Sequence, residues 1–234
     1  MESYVPGLPG IGSDKTATPR TVALGGRLST LPGGIIIDGS ESRDPLNTGD
    51  VDVLRAGILL GKRTANSLFA PSIIGVLSEA YDKDGSEATQ LTVSAATATE
   101  IVRRIGTSGT LKVTGPPTAA GTVAVQTATF TSVNTTTGVI VIVALAADAI
   151  AGSFIQPTDG SETIRTMVPD GFGVKVTDED DSDIDVSIPS PGAVVGGLLD
   201  ASQIVNWPSD TSLVAYLKAA LRAVGTGYVF DDDF

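Results

Sequence analysis

Glycine and proline interrupt this sequence so often that long regular elements are excluded from most of it: 27 Gly and 13 Pro stand among 234 residues. Proline removes a backbone donor, and glycine loses the most conformational freedom on folding, so both collect at turns. The pieces between them are short and rich in Thr and Val, β-branched residues that suit a pleated surface. The chain is therefore expected to be mainly β, with strands joined by tight turns and a small α component. With 6 Phe, 4 Tyr and 1 Trp, its cores must be assembled from Val, Ile, Leu and Ala.

Two residue types are missing altogether, since the sequence holds no Cys and no His. That removes disulfide frameworks, thiolate or imidazole zinc sites, Ser-His-Asp triads and Cys-His dyads. Any catalysis would have to run on carboxylates, lysines or tyrosines. The 27 acidic against 15 basic side chains give a formal charge of −12. A protein built to neutralise phosphates needs clustered Lys and Arg, so nucleic acid is not an expected partner. The N-terminal sequence MESYVPGLPG lacks the basic and apolar regions of a secretory signal. The most apolar run, Val139 to Ile150, is too short to cross a bilayer and contains Asp148, so it reads as buried strand. A soluble product of a cytoplasm with no membrane contact is expected.

Residues 1–50 differ from the rest. Pro and Gly separate short apolar pieces there, such as Thr21 to Leu24 and Ile35 to Ile37, and such a stretch cannot build its own core. It reads either as a flexible tail or as an extended arm that orders on a partner by adding strands to an exposed sheet edge of that partner. From Val51 the texture becomes globular, with apolar pieces Val51 to Leu60 and Ile73 to Leu77 around a turn at Asn66–Ser67. A short helix is expected around Ala96, Glu100, Ile101 and Arg104, ended by Gly106. Thr110 to Phe154 alternates well, and Asn134 to Gly138 is a hairpin loop closed by a glycine that can take positive φ. The clearest helix follows Trp207–Pro208. Ser209 and Asp210 cap it, Leu213, Tyr216 or Leu217, Ala220, Leu221 and Val224 form one apolar face, and Gly225 ends it.

Few constellations suggest chemistry. The run Asp178 to Asp185 offers carboxylates to Ca²⁺ but lacks the glycine and terminal Glu of an EF-hand loop, so a solvated hairpin tip is the simpler reading. Asp231 to Asp233 is read the same way. Gly57 to Thr64 fails as a phosphate loop because Arg63 follows Lys62 where Ser or Thr is required. The adjacent Arg103 and Arg104 suit a clamp on a carboxylate or phosphate, a solvated face, or an ion pair with the acidic excess. No catalytic residue, metal ligand or cofactor site is assigned.

The run Val53–Leu54–Arg55–Ala56–Gly57–Ile58–Leu59–Leu60–Gly61–Lys62, followed by Leu68–Phe69–Ala70–Pro71, resembles the opening of the lambda-type head decoration proteins of tailed bacteriophages. Leu198 to Pro208, followed by Leu217 to Gly225, is similar to that family's closing segment: a strand, a proline, and a helix ending L-R-x-x-G before a last apolar strand. The resemblance covers roughly residues 51–85 and 160–230. It implies a β-barrel or β-tulip-like core, homotrimers on the outer surface of an icosahedral capsid, and an N-terminal arm lying along the major capsid protein.

The expected organisation is thus a capsid-binding arm over residues 1–50, a decoration-protein core over 51–85 plus 159–234, and an inserted β-rich subdomain over 86–158. Val22, Leu24, Ile35, Ile36 and Ile37 are the candidate capsid contacts. Trp207, Leu217 and Leu221 are candidate trimer or core anchors. The resulting expectation is a non-enzymatic cement protein of the virion. Its rivals are a head fibre or adhesion module whose insertion binds a host glycan or receptor, and a carboxylate-based hydrolase.

Overall fold

The structure is a computed structural model and describes residues 20–30, 32–86, 88–119, 121–171, 173–189, 194–224 and 228–230. The chain first lays down β1 (Ala23–Thr30), β2 (Ile35–Ile37), β3 (Val53–Leu54), β4 (Leu59–Lys62) and β5 (Phe69–Pro71). It then builds β6 (Gly75–Val76), β7 (Gln90–Thr92), helix α1 (Ala95–Arg104), β8 (Gly109–Gly115), β9 (Ala124–Val133), β10 (Val139–Ile142) and β11 (Phe154–Gln156). It finishes with β12 (Ile164–Met167), β13 (Val174–Lys175), β14 (Val186–Ile188), β15 (Val194–Leu199), helix α2 (Thr211–Arg222) and β16 (Tyr228–Phe230). The protein is mainly β, with two α-helices among the described residues.

The first and last groups interleave in one sheet, ordered β1-β15-β12-β4-β5-β2-β14, with β16 alongside β15. Strands β3 and β13 form a separate antiparallel pair. The described part of the expected arm, residues 20–50, is laid into this sheet: β1 runs antiparallel to β15, and β2 lies between β14 and β5. The reason is visible in β2. Ile35 and Ile37 point into the core while Ile36 faces out, the period-two pattern of a strand with one buried face. The short apolar pieces do add to a sheet edge, and the edge belongs to the same chain.

The middle group forms a second sheet, ordered β6-β11-β8-β9-β10-β7, antiparallel throughout. It curls until its ends meet. Leu77 and Val93 bridge the first and last strands, and the Ser78 amide donates to the Thr92 carbonyl at 2.9 Å. Strands β8, β9 and β10 follow one another and β11 returns beside β8, a Greek key. The β9–β10 loop is held by Asn134, whose Oδ1 accepts from the amides of Thr136 (3.0 Å) and Thr137 (3.1 Å), and by Gly138 at φ +76°. Helix α1 begins at Ser94, whose Oγ accepts from the Thr97 amide at 3.1 Å, and presses Ala98 and Ile101 into the barrel interior. It ends before Gly106, at φ +113°. The barrel draws on residues 75–156, so it starts one strand earlier than residue 86.

The barrel has one core and the larger lobe two, one of them around Ile35, Ile37, Leu54, Leu60 and Val176. Leu91, Leu111, Val113, Phe130, Ile140 and Ile155 fill the barrel. Leu59, Met167, Leu199, Tyr228 and Phe230 pack under helix α2, which contributes Leu213, Leu217 and Leu221, each worth about 2 kcal/mol of burial. Two adjacent pairs serve both. Ile73 and Phe154 face the α2 core, whereas their neighbours Ile74 and Ile155 face the barrel core. The backbone at these two places is a wall shared by both lobes, which is what strand alternation yields when both faces are covered.

Helix α2 begins at Asp210, whose Oδ1 accepts from the amides of Ser212 (2.9 Å) and Leu213 (3.0 Å). Gly225 and Asp231 to Asp233 lie outside the described residues.

Candidate functional site

Where helix α1 meets the other lobe, charged side chains cross between them. Arg104, on the last turn of α1, is 1% exposed at its side chain. Its Nη1 donates to the Pro71 carbonyl at 2.7 Å, and its Nη2 to Ser161 Oγ at 2.5 Å and Asp159 Oδ2 at 3.2 Å. Asp159, in the turn after β11, also receives Arg63 Nε at 3.2 Å. Arg63, just past β4, donates in turn to Asp38 and lies 3.3 Å from Glu41 Oε1. Asp38 is saturated by Asn66 Nδ2 and Ser40 Oγ, each at 2.7 Å. Beside this chain, Arg103 grips Glu100 with two 2.7 Å bonds and reaches the Ser40 carbonyl. The result is a polar seam that ties the barrel to β2, β4 and β5.

The electrostatics are those of a clamp. Burial works against ionising Asp38, but hydrogen bonds from Asn66, Ser40 and Arg63 outweigh it and hold the carboxyl below its ordinary range. Asp159 behaves alike: burial opposes its charge, and Arg104 and Ser161 overcome the penalty. Glu41 goes the other way. Burial pushes its carboxyl up despite Arg63 and Arg104 nearby, and its Oε2 has no hydrogen-bond partner.

These directions fix a pH profile. For Asp38 and Asp159 the folded value lies below the unfolded one, so their stabilisation is complete above about pH 4 and is lost as pH falls through the folded value. For Glu41 the folded value lies above the unfolded one, so its contribution is present below about pH 4.5 and is lost as pH rises through the raised value. Thermal midpoints measured from pH 3 to 7 should therefore peak on the mildly acidic side and drop steeply below about pH 4. In Glu41→Gln the decline on the neutral side should flatten while the acid drop stays. An acid drop that vanished in Glu41→Gln would contradict this assignment.

The acidic run 178–185 is folded on itself. Asp178 Oδ1 accepts from the amides of Asp180 and Ser182, both at 2.9 Å; Asp183 pairs with Arg43; and Asp185 accepts from the Gly39 amide at 3.1 Å. Asp178, Asp183 and Asp185 thus serve as turn and ion-pair groups. Among the described residues no cluster of three or more acidic side chains is arranged to hold a metal, and no helix is long and apolar enough to cross a membrane.

The sequence candidates fall in different places. Val22, Ile35 and Ile37 are buried in the chain's own cores, Leu24 lies in β1, and Ile36 alone of the central triplet is exposed, at 46%. Buried in this way, Val22, Ile35 and Ile37 offer no surface to a capsid while the fold is intact. Of the roles left open for the second set, Leu217 and Leu221 are core anchors at 1% and 0% exposure. Trp207 is half-buried against Phe230, with ring centroids 5.5 Å apart. Phe130 and Phe154 are buried too, so neither offers a ring to a sugar. The seam was foreseen only through Arg103 and Arg104. Its other members, Asp38, Glu41, Arg63, Glu100 and Asp159, carry no local signature, being ordinary charged residues brought together by folding.

No family model, curated protein or solved structure matches this chain.

Proposed function

We propose that this protein is a structural component of a virion, a head decoration protein that binds the outer surface of an icosahedral phage capsid as a homotrimer and stabilises it against the major capsid protein's tendency to separate. The observation that carries the reading concerns the two stretches that resemble such proteins. Distant in sequence, they converge in one lobe: β4 and β5 from the first, β15 and helix α2 from the second. Most of the barrel, β7 to β11, comes from the residues between them, as an insertion would, while its first strand β6 comes from the end of the first stretch. The charge distribution agrees. Arg43, Arg55, Arg63, Arg103 and Arg104 are engaged with carboxylates of the same chain, which leaves an acidic exterior suited to the outside of a shell and unsuited to packaged DNA.

Because β1 and β2 are paired within the core sheet, the test removes residues 1–19, which lie outside the described residues, and leaves that sheet intact. The decisive experiment adds the full chain and a variant lacking residues 1–19 to undecorated shells, with co-sedimentation and light scattering as readouts. Trimers of the full chain should bind, and the truncated variant should lose at least about tenfold in affinity, since three arms act together. A monomer that leaves the shells untouched would end the proposal. In the alternative reading, a head fibre or adhesion module of the virion, the barrel captures a host glycan or receptor; a glycan array separates the two.

A further inference from the structure

Residues 113–147 contain no Asp, Glu, Lys or Arg, although the chain as a whole carries 27 acidic and 15 basic residues. This block supplies β9, β10 and the hairpin between them. The inner faces of these strands are in the barrel core. Their outer faces are exposed: Val125 (51%), Val141 (37%) and Val143 (61%) with Thr127, Thr129 and Ser132. The β9–β10 pairing shifts by one residue there: Val141 stands opposite Ser132 and Ile142 opposite Phe130, and the Val143 amide donates to the Thr129 carbonyl at 2.8 Å. The margins are neutral as well. Lys112, opposite Thr127, is paired with Glu162 at 2.9 Å, and on the far side Gln90 stands opposite Val141.

We propose that this uncharged sheet face is where a second copy of the chain docks. Two copies each carrying −12 repel wherever their acidic surfaces meet, and a face without charge is where they can approach without that cost. Valines interleaved with threonines on a pleated surface pack against an identical surface without leaving a buried charge. The occupant is not a sugar, because the face has no exposed aromatic ring, and not a nucleic acid, because it has no cation. Strands β8, β9 and β10, with seven, ten and four residues, give about 350 Å² per copy at roughly 5 Å between strands and 3.3 Å per residue. Stable interfaces use about 800 Å² per partner, so the contact is weak on its own and depends on concentration. The argument uses charge placement alone and stands whether or not the protein binds a capsid.

The test is sedimentation equilibrium of the full chain without shells, at concentrations up to about 0.5 mM and at two salt levels. The mean mass should rise with concentration above the value at high dilution, whether that value is the monomer or the proposed trimer. Raising salt from about 0.05 to 0.5 M should tighten association at least threefold, because screening removes repulsion between copies and no ion pair is lost. Val143→Asp and Val125→Asp, at solvent-facing positions, should each weaken association at least tenfold. Val51→Asp adds the same charge at an exposed site in the other lobe, 46% accessible, and should leave association within twofold of the parent. A parent whose mass does not change with concentration overturns the proposal, as do valine variants that associate like the parent or a Val51→Asp effect as large as theirs. Shell binding by the same variants is scored separately, so failure of one idea does not carry the other with it.

Discussion

Arg104→Met is expected to lower the unfolding free energy by about 3 kcal/mol, because it removes one partner of a buried ion pair and strands the groups that pair satisfied. Three acceptors converge on this guanidinium: the Pro71 carbonyl, Ser161 Oγ and Asp159 all lose a donor at once. Methionine fills much of the same volume, so the loss reads the polar connection more than a cavity. Arg104→Lys should recover little, since an ammonium is a point donor and cannot reach three separated acceptors in the plane of a fork. The measurement is the urea midpoint of parent, Arg104→Met, Asp159→Asn and the double variant. The two single losses should exceed the double by 1 kcal/mol or more, as coupled neighbours do. A loss under about 1 kcal/mol for Arg104→Met would show that the seam is decoration on a joint held by the shared apolar wall.

Gly138→Ala should be comparably damaging for a different reason. Gly138 sits at φ +76°, where an L side chain costs about 1–2 kcal/mol, and a Cβ there would collide with the Val93 carbonyl oxygen. Val93 cannot simply move: its own amide donates to the Gly138 carbonyl at 2.9 Å, and its bridge to Leu77 joins the barrel's first and last strands. Gly152 supplies the control. Its φ is +84°, but a Cβ there would meet nothing within 4 Å, so Gly152→Ala measures the backbone term alone. Gly138→Ala is expected to cost at least about 3 kcal/mol and Gly152→Ala about half of that, by denaturant unfolding. Equal losses would mean that the collision relaxes freely and that the barrel seam is looser than its hydrogen bonds imply.

How much of this could be read from the sequence depended on range. The β9–β10 hairpin announces itself through alternation around Phe130 and Ile140 and through Asn134 and Gly138 in the loop, all within a dozen residues. Helix α2 was equally plain, because Asp210, Leu213, Leu217 and Leu221 carry both cap and period. The triplet Ile35 to Ile37 was legible as a strand looking for an edge, yet nothing local could say that β5 and β14 would supply it from the same chain. The seam was the least visible part. Asp38, Arg63, Arg104 and Asp159 are separated by tens of residues, and a carboxylate at the start of such a chain looks the same whether it meets solvent or a guanidinium. Burial decides their chemistry, and burial is a property of the finished fold.

The wall shared by the two cores also bears on folding accuracy. At Ile73–Ile74 and at Phe154–Ile155, neighbouring side chains are assigned to opposite cores. A slip of one residue in strand β11 would not merely move an apolar group into water, as it does at the surface of a half-exposed sheet; it would exchange a phenylalanine and an isoleucine between two close-packed interiors of different shape. One core would be overfilled and the other left with a void, so each lobe checks the alignment of the other, and the chain gains a proofreading step from having its barrel built directly onto the sheet.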